Sequence, residues 1–159
     1  MLYNYPSSPS TLHLTVSSGL LSWPIDCVSE FKYLGVVIDS ALCWKAHITR
    51  LKTSLRNICR NMYVLRRYCL FSTVLSVYNG LVNSLLCYCV CAWGSASNYL
   101  INAITVIQKR ILRVINKMPA RSPSLPLFKQ SSLLTCRQTF VFRCLRPCFS
   151  TNRTQKENF

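Results

Sequence analysis

The chain is short of acid. Its 159 residues carry 4 Asp and Glu against 19 Lys and Arg, for a formal net charge of +15. Asp26, Glu30 and Asp39 fall near the N-terminus and Glu157 near the end, so no carboxylate occurs from Ser40 to Lys156. That stretch therefore lacks the converging acidic ligands that two-metal phosphoryl transfer needs. Glycine is scarce too, at 4 residues, and with 7 Pro in no regular order it excludes collagen-like and simple repeat chains. There is no Gly-rich phosphate loop, nucleophile elbow or His-Glu zinc-protease pattern. The two histidines, His13 and His47, have no partner near in sequence and read as surface or packing residues. The chain alone is expected to be inactive, with no catalytic residues, metal site or cofactor.

Apolar residues make up 50% of the chain and charged ones 14%, which suits a domain with a real core and not a disordered polymer. Every Lys and Arg except Lys32 lies in the acid-free stretch. Cations with no anions between them repel one another unless a polyanion neutralises them. Nucleic acid is the first expected partner, and an anionic membrane surface the second. The N-terminus has no basic segment followed by an apolar one, so no secretory signal is read there and an intracellular site, nuclear or cytoplasmic, is expected. The 10 Cys are then expected to stay reduced and to pack as small hydrophobes. Cys87, Cys89 and Cys91 lack the two-residue gap of a zinc ribbon, and no histidine completes a set with Cys136, Cys144 and Cys148.

No charged residue separates Arg67 from Lys109, and Val74 to Trp93 is long enough to cross a bilayer. Its polar residues argue otherwise. At about 100° per residue, Ser76, Asn79, Gly80, Asn83 and Ser84 gather on one side, opposite Val74, Val77, Tyr78, Leu81, Val82 and Leu85. This predicts one buried helix of a bundle, over about 73–91, and no membrane span.

The predicted architecture is α+β and mostly α. Leu12, Leu14 and Val16 alternate with polar residues before a turn at Ser17-Ser18-Gly19, and the apolar run Tyr33 to Ile38 reads as a buried strand ended by Asp39. From Trp44 the period becomes helical. Ile48, Leu51, Leu55, Ile58, Met62 and Leu65 form one stripe, beside a cationic stripe of Lys45, Lys52, Arg56, Arg60 and Arg67. A later helix, about 98–117, sets Leu100, Ile104, Ile107, Ile111 and Val114 against Lys109, Arg110, Arg113 and Lys117. Pro119, Pro123 and Pro126 predict a non-helical linker. The divisions are a loose end over 1–10, a β element with a short hairpin over 11–39, and a helical bundle over 40–118, in an architecture of three to four helices. A linker over 119–128, a C-terminal helix over 129–148 and a frayed tail over 149–159 follow.

Phe31-Lys32-Tyr33-Leu34-Gly35-Val36-Val37-Ile38-Asp39, followed by Leu42-Cys43-Trp44 and His47-Ile48, resembles the end of the reverse transcriptase of non-LTR, jockey-type retrotransposons. Leu65-Arg66-Arg67, Tyr78-Asn79, Tyr88, Trp93-Gly94, Gln108-Lys109-Arg110 and Leu127-Phe128 agree with it, over roughly 28–145. The resemblance implies the end of a palm, with Phe31, Tyr33, Leu34 and Gly35 in a primer-grip-like element, followed by a thumb-like bundle. It implies an RNA–DNA or DNA duplex as partner, met through its phosphate backbone, and the palm and fingers of a polymerase whose cofactor is Mg. The paired catalytic aspartates of that family are not among these residues. The leading expectation is a fragment of an RNA-directed DNA polymerase that retains template–primer binding. The alternatives are an inert or repurposed helical interaction module and a basic membrane-associated protein.

Overall fold

A computed structural model describes the backbone of residues 14–18, 21–25 and 28–154, and the side chains of 28–146. The expected loose end at 1–10, His13 and the last residues of the expected tail lie outside the described residues.

Two antiparallel hairpins come first, where one was expected. Strands β1 (Leu14–Ser18) and β2 (Leu21–Ile25) form one, and β3 (Glu30–Tyr33) and β4 (Val36–Asp39) form the other. The run from Tyr33 to Ile38 is thus not one strand. It folds back at Leu34 and Gly35, both at positive φ (45° and 86°), the pattern of a two-residue hairpin turn with glycine in the second central position. Val36 and Val37 face the core, while β3 is exposed along its length.

Asp39 then sets the start of the first helix. Its two carboxylate oxygens accept the Cys43 and Trp44 backbone N–H groups, at 2.9 and 2.8 Å. The Cys43 bond foremost holds the carboxyl below its ordinary pKa. The acid thus fixes the turn into α1 (Lys45–Tyr68), whose N-cap residue, Trp44, is in the left-handed region and offers no side-chain cap.

Helix α1 buries Ile48, Leu51, Leu55, Cys59 and Met62 against α5 (Asn98–Ile115), which buries Ile101, Ile104, Ile107, Ile111, Leu112 and Ile115. Ile58 and Leu65 of α1, and Leu100 and Val114 of α5, sit at the edges of this contact, so both buried arcs are turned slightly from the expected stripes.

The expected single helix over 73–91 is instead α2 (Phe71–Tyr78), a π-turn (Asn79–Asn83), α3 (Ser84–Cys87) and α4 (Val90–Trp93). The reason is the spacing of what it buries. Val74, Tyr78, Val82, Leu86 and Val90 repeat every four residues and would drift around a regular 3.6-residue helix. The wider π-turn takes up the surplus residue and keeps them facing inward. Leu81, expected on the buried side, is accordingly exposed. A left-handed Cys89 then starts α4, and the indole N–H of Trp93 donates to the Tyr88 carbonyl at 2.8 Å. No helix among the described residues is long and apolar enough to cross a membrane.

The proline-rich segment is not wholly non-helical: α6 (Leu125–Gln130) begins inside it, with Pro126 in the first turn, where a missing N–H costs nothing. Leu127 and Phe128 of α6 enter the core. The last helix, α7 (Cys136–Thr154), begins later and ends later than the expected 129–148, into the residues read as tail. It packs on α3, α4 and α5.

Candidate nucleic-acid interface

Packing of α1 on α5 brings their cationic edges to a common seam. A hollow of about 320 Å³ is lined by Arg56, Arg60 and Tyr63 from α1 and Arg110 and Val114 from α5, over Cys59. A second, of about 710 Å³, adjoins it along Tyr63, Arg110 and Val114 and extends past Arg66, Arg113 and Lys117 to Met118 and Pro119. No carboxylate among the described residues lines either hollow. Like charges held this close are stable only where water, counter-ions or a polyanion screens them.

The cations divide by their partners. Arg66, which the sequence pattern did not single out, donates from Nη1 to the Val114 carbonyl at 2.6 Å and so ties α1 to α5. Arg113 donates from Nε to the Ser122 carbonyl at 2.8 Å and pins the chain that follows α5. Both are structural as well as cationic. Arg56, Arg60 and Arg110 are exposed at the smaller hollow, and Lys117 at the end of the larger. Lys117 is placed there by its backbone: it takes φ 56° as α5 ends, and Met118 N–H returns to the Arg113 carbonyl at 2.9 Å, with Lys117 N–H to Val114 at 3.2 Å. That pair of bonds is a Schellman closure, built here without glycine.

Arg67 lies on the same edge as Arg60, with its guanidinium carbon 5.3 Å from the Tyr63 ring centroid, a distance Arg66 shares. Lys45, Lys52 and Lys109 line neither hollow. Lys45 sits at the far N-terminal end of α1, and Lys109 is turned from Arg110 by the 100° step of the helix. Of the nine cations expected at the interface, Arg56, Arg60, Arg110, Arg113 and Lys117 meet at the seam and Arg67 flanks it.

The grip-like residues form the tip of the β3–β4 hairpin. Phe31 and Tyr33 stack with centroids 6.4 Å apart and both rings are more than half exposed, as is Leu34. The turn is anchored by one bond, from the Tyr88 hydroxyl to the Leu34 carbonyl at 2.6 Å. Strand β4 packs on α1, and the Val37 N–H donates to His47 Nδ1 at 3.4 Å. His47 is a packing residue, with its ring 5.8 Å from that of Trp93. Desolvation, then the Arg50 charge, holds its pKa below the ordinary value. At about 1.5 Å per residue, Arg56 lies roughly 13 Å along α1 from His47, so hairpin and seam occupy successive stretches of one helix.

Behind the seam, α5 is held by a residue whose interior role its sequence position did not announce. Gln108 is 1% exposed. Its Nε2 donates to the Tyr78 hydroxyl at 3.1 Å and to the Leu134 carbonyl at 2.8 Å, and its Oε1 accepts the Cys136 N–H at 3.1 Å. One amide thereby joins α2, α5 and the start of α7. Burial pushes the Tyr78 phenol up to about 12, with the Gln108 bond acting weakly the other way. Burial likewise pushes the Cys136 thiol up to about 12, so it is an inert core group. No group of three or more His, Cys, Asp or Glu among the described residues could hold a metal ion.

The chain is similar to the RNA-directed DNA polymerase from mobile element jockey of Drosophila funebris, with 32% identity over 109 residues, which are 67% of this chain and 12% of the relative. No family model and no solved structure matches. The chain thus spans a small part of that polymerase's length. Identity at this level across two thirds of its residues, on a short β element leading into a helical bundle, shows that the chain belongs to the reverse transcriptases of jockey-type non-LTR retrotransposons, matching a fragment of that polymerase.

Proposed function

We propose that this chain grips a nucleic-acid duplex by its phosphate backbone, as a thumb-like piece of a reverse transcriptase, and does not polymerise by itself. The observation that carries the reading is the α1–α5 seam, where guanidiniums from two helices converge with no carboxylate of the described residues among them. Arginine suits this task, because its planar fork of donors matches phosphate oxygens. Such contacts position a duplex without reading its sequence, and an RNA–DNA hybrid is met through shape and backbone. In the parent polymerase the exposed stack of Phe31 and Tyr33 would steady the primer end, and palm and fingers would supply the Mg site.

The test is fluorescence anisotropy of the chain with an RNA–DNA hybrid, titrated across salt, beside a scrambled peptide of equal charge. Five exposed cations, Arg56, Arg60, Arg67, Arg110 and Lys117, would give a log–log slope of about −4.5 if each met one phosphate. Affinity no better than the scrambled peptide's would refute the proposal.

A further inference from the structure

Backbone binding explains the charge of the seam and leaves its shape unexplained. Phosphates of a duplex need only a cationic ridge, yet here the ridge opens into two joined hollows. Their volumes, about 320 and 710 Å³, fall in the range of small-ligand sites, about 300–1,000 Å³. Their linings differ in kind. The smaller presents three guanidiniums, Arg56, Arg60 and Arg110. The larger adds apolar side chains to its lining, Val106, Val114, Met118 and Pro119, of which Val106 and Met118 are exposed, beside the Tyr63 ring.

A phosphate has no use for apolar lining, whereas a nucleobase does: it is flat, and its face stacks on aromatic and guanidinium planes. Tyr63 is 48% exposed and is held by Arg66 and Arg67, each 5.3 Å from its centroid. A base inside a duplex cannot use such a place, because its faces are covered by its neighbours and its edge by its partner. From this pairing of a cationic and an apolar hollow we infer that the seam is a binding site for an unpaired nucleotide. Its phosphate sits among Arg56, Arg60 and Arg110, and its base lies along the apolar side chains beside Tyr63.

The inference rests on the nucleic-acid reading and adds to it a preference for single strand at one place. Three probes of equal length separate the two: a single-stranded oligo(dA), the same strand with abasic residues, and a blunt RNA–DNA hybrid. Each is titrated by anisotropy against the full chain at one salt concentration. The strand with bases is expected to bind on the order of tenfold more tightly than the abasic strand. Tyr63→Ala is expected to abolish that difference and Tyr63→Phe to keep it, with circular dichroism unchanged in both. Equal affinity for the two strands overturns the nucleotide site, and binding of the hybrid would then leave the duplex reading standing. A bound strand and an unbound hybrid would do the reverse, and no binding to any probe would overturn both.

Discussion

Replacing Gln108 tests whether the bundle behind the seam is held as described. The side chain is 1% exposed and satisfies the Cys136 N–H, the Leu134 carbonyl and the Tyr78 hydroxyl at once. Gln108→Leu keeps most of the volume and removes all three partners. The Cys136 N–H and the Tyr78 hydroxyl, both buried, would be left unpaired at about 1–3 kcal/mol each, so the loss is roughly 2–6 kcal/mol. Domains of ordinary stability have about 5–15 kcal/mol in total, so the change is a large share of the whole. Tyr78→Phe removes one hydroxyl while Gln108 keeps its backbone partners, and is expected to cost only about 0.5–1.5 kcal/mol. Urea unfolding followed by circular dichroism reads both, with the slope m unchanged if compactness is preserved. A Gln108→Leu protein within about 0.5 kcal/mol of the parent would refute the argument, because buried polar groups left unpaired cannot be that cheap.

Gly94 admits no side chain: a Cβ there would stand 2.5 Å from the Val90 carbonyl oxygen and 2.7 Å from the Phe140 ring, so Gly94→Ala should destabilise by about 1–3 kcal/mol in the same assay. His47 gives a pH dependence of known sign. Its folded pKa lies below 6.5, so between the two values the unfolded chain holds more protons and stability falls as pH drops below 6.5. Midpoints of urea unfolding between pH 7 and 5 should show a loss that is smaller in His47→Asn. Asp39 has the same direction for a different reason and in a lower window: its stabilisation is present above about 3.8 and is lost as pH falls through its lowered folded value, so Asp39→Asn should flatten acid unfolding there.

The long helices were legible in the residues because their apolar spacing follows 3.6. Ile48, Leu51, Leu55 and Met62 of α1 and Ile104, Ile107 and Ile111 of α5 are buried as their periodicity says. Where spacing and period disagree, the pattern misled: the four-residue repeat from Val74 to Val90 reads as an ordinary helix, and only a π-turn reconciles it with one buried side. The Tyr33 to Ile38 run is apolar enough for a strand, but Gly35 gives the chain a way to turn, and the hairpin uses it. Pro126 was read as a helix breaker when its position made it a helix starter. The cationic stripes were visible on each helix separately, whereas the meeting of Arg56 and Arg60 with Arg110 depends on how α1 and α5 cross, which neither stripe contains. The structural roles of Arg66 and Gln108 escaped for a related reason: their partners lie 48 and 26–30 residues away, beyond the reach of local spacing.

The central claim is that the seam is the nucleic-acid face, and the salt dependence of one variant tests it most directly. Arg56, Arg60 and Arg110 are exposed, and no side-chain bond to another described residue accounts for them, so changing all three to Ala should leave the helical signal intact. With an RNA–DNA hybrid, loss of three phosphate contacts should flatten the log–log salt slope by about 2.7, from about −4.5 to about −1.8, with a large fall in affinity at low salt. A variant that keeps the parent's slope and affinity would show that the duplex is held elsewhere, and the account of this interface would be wrong.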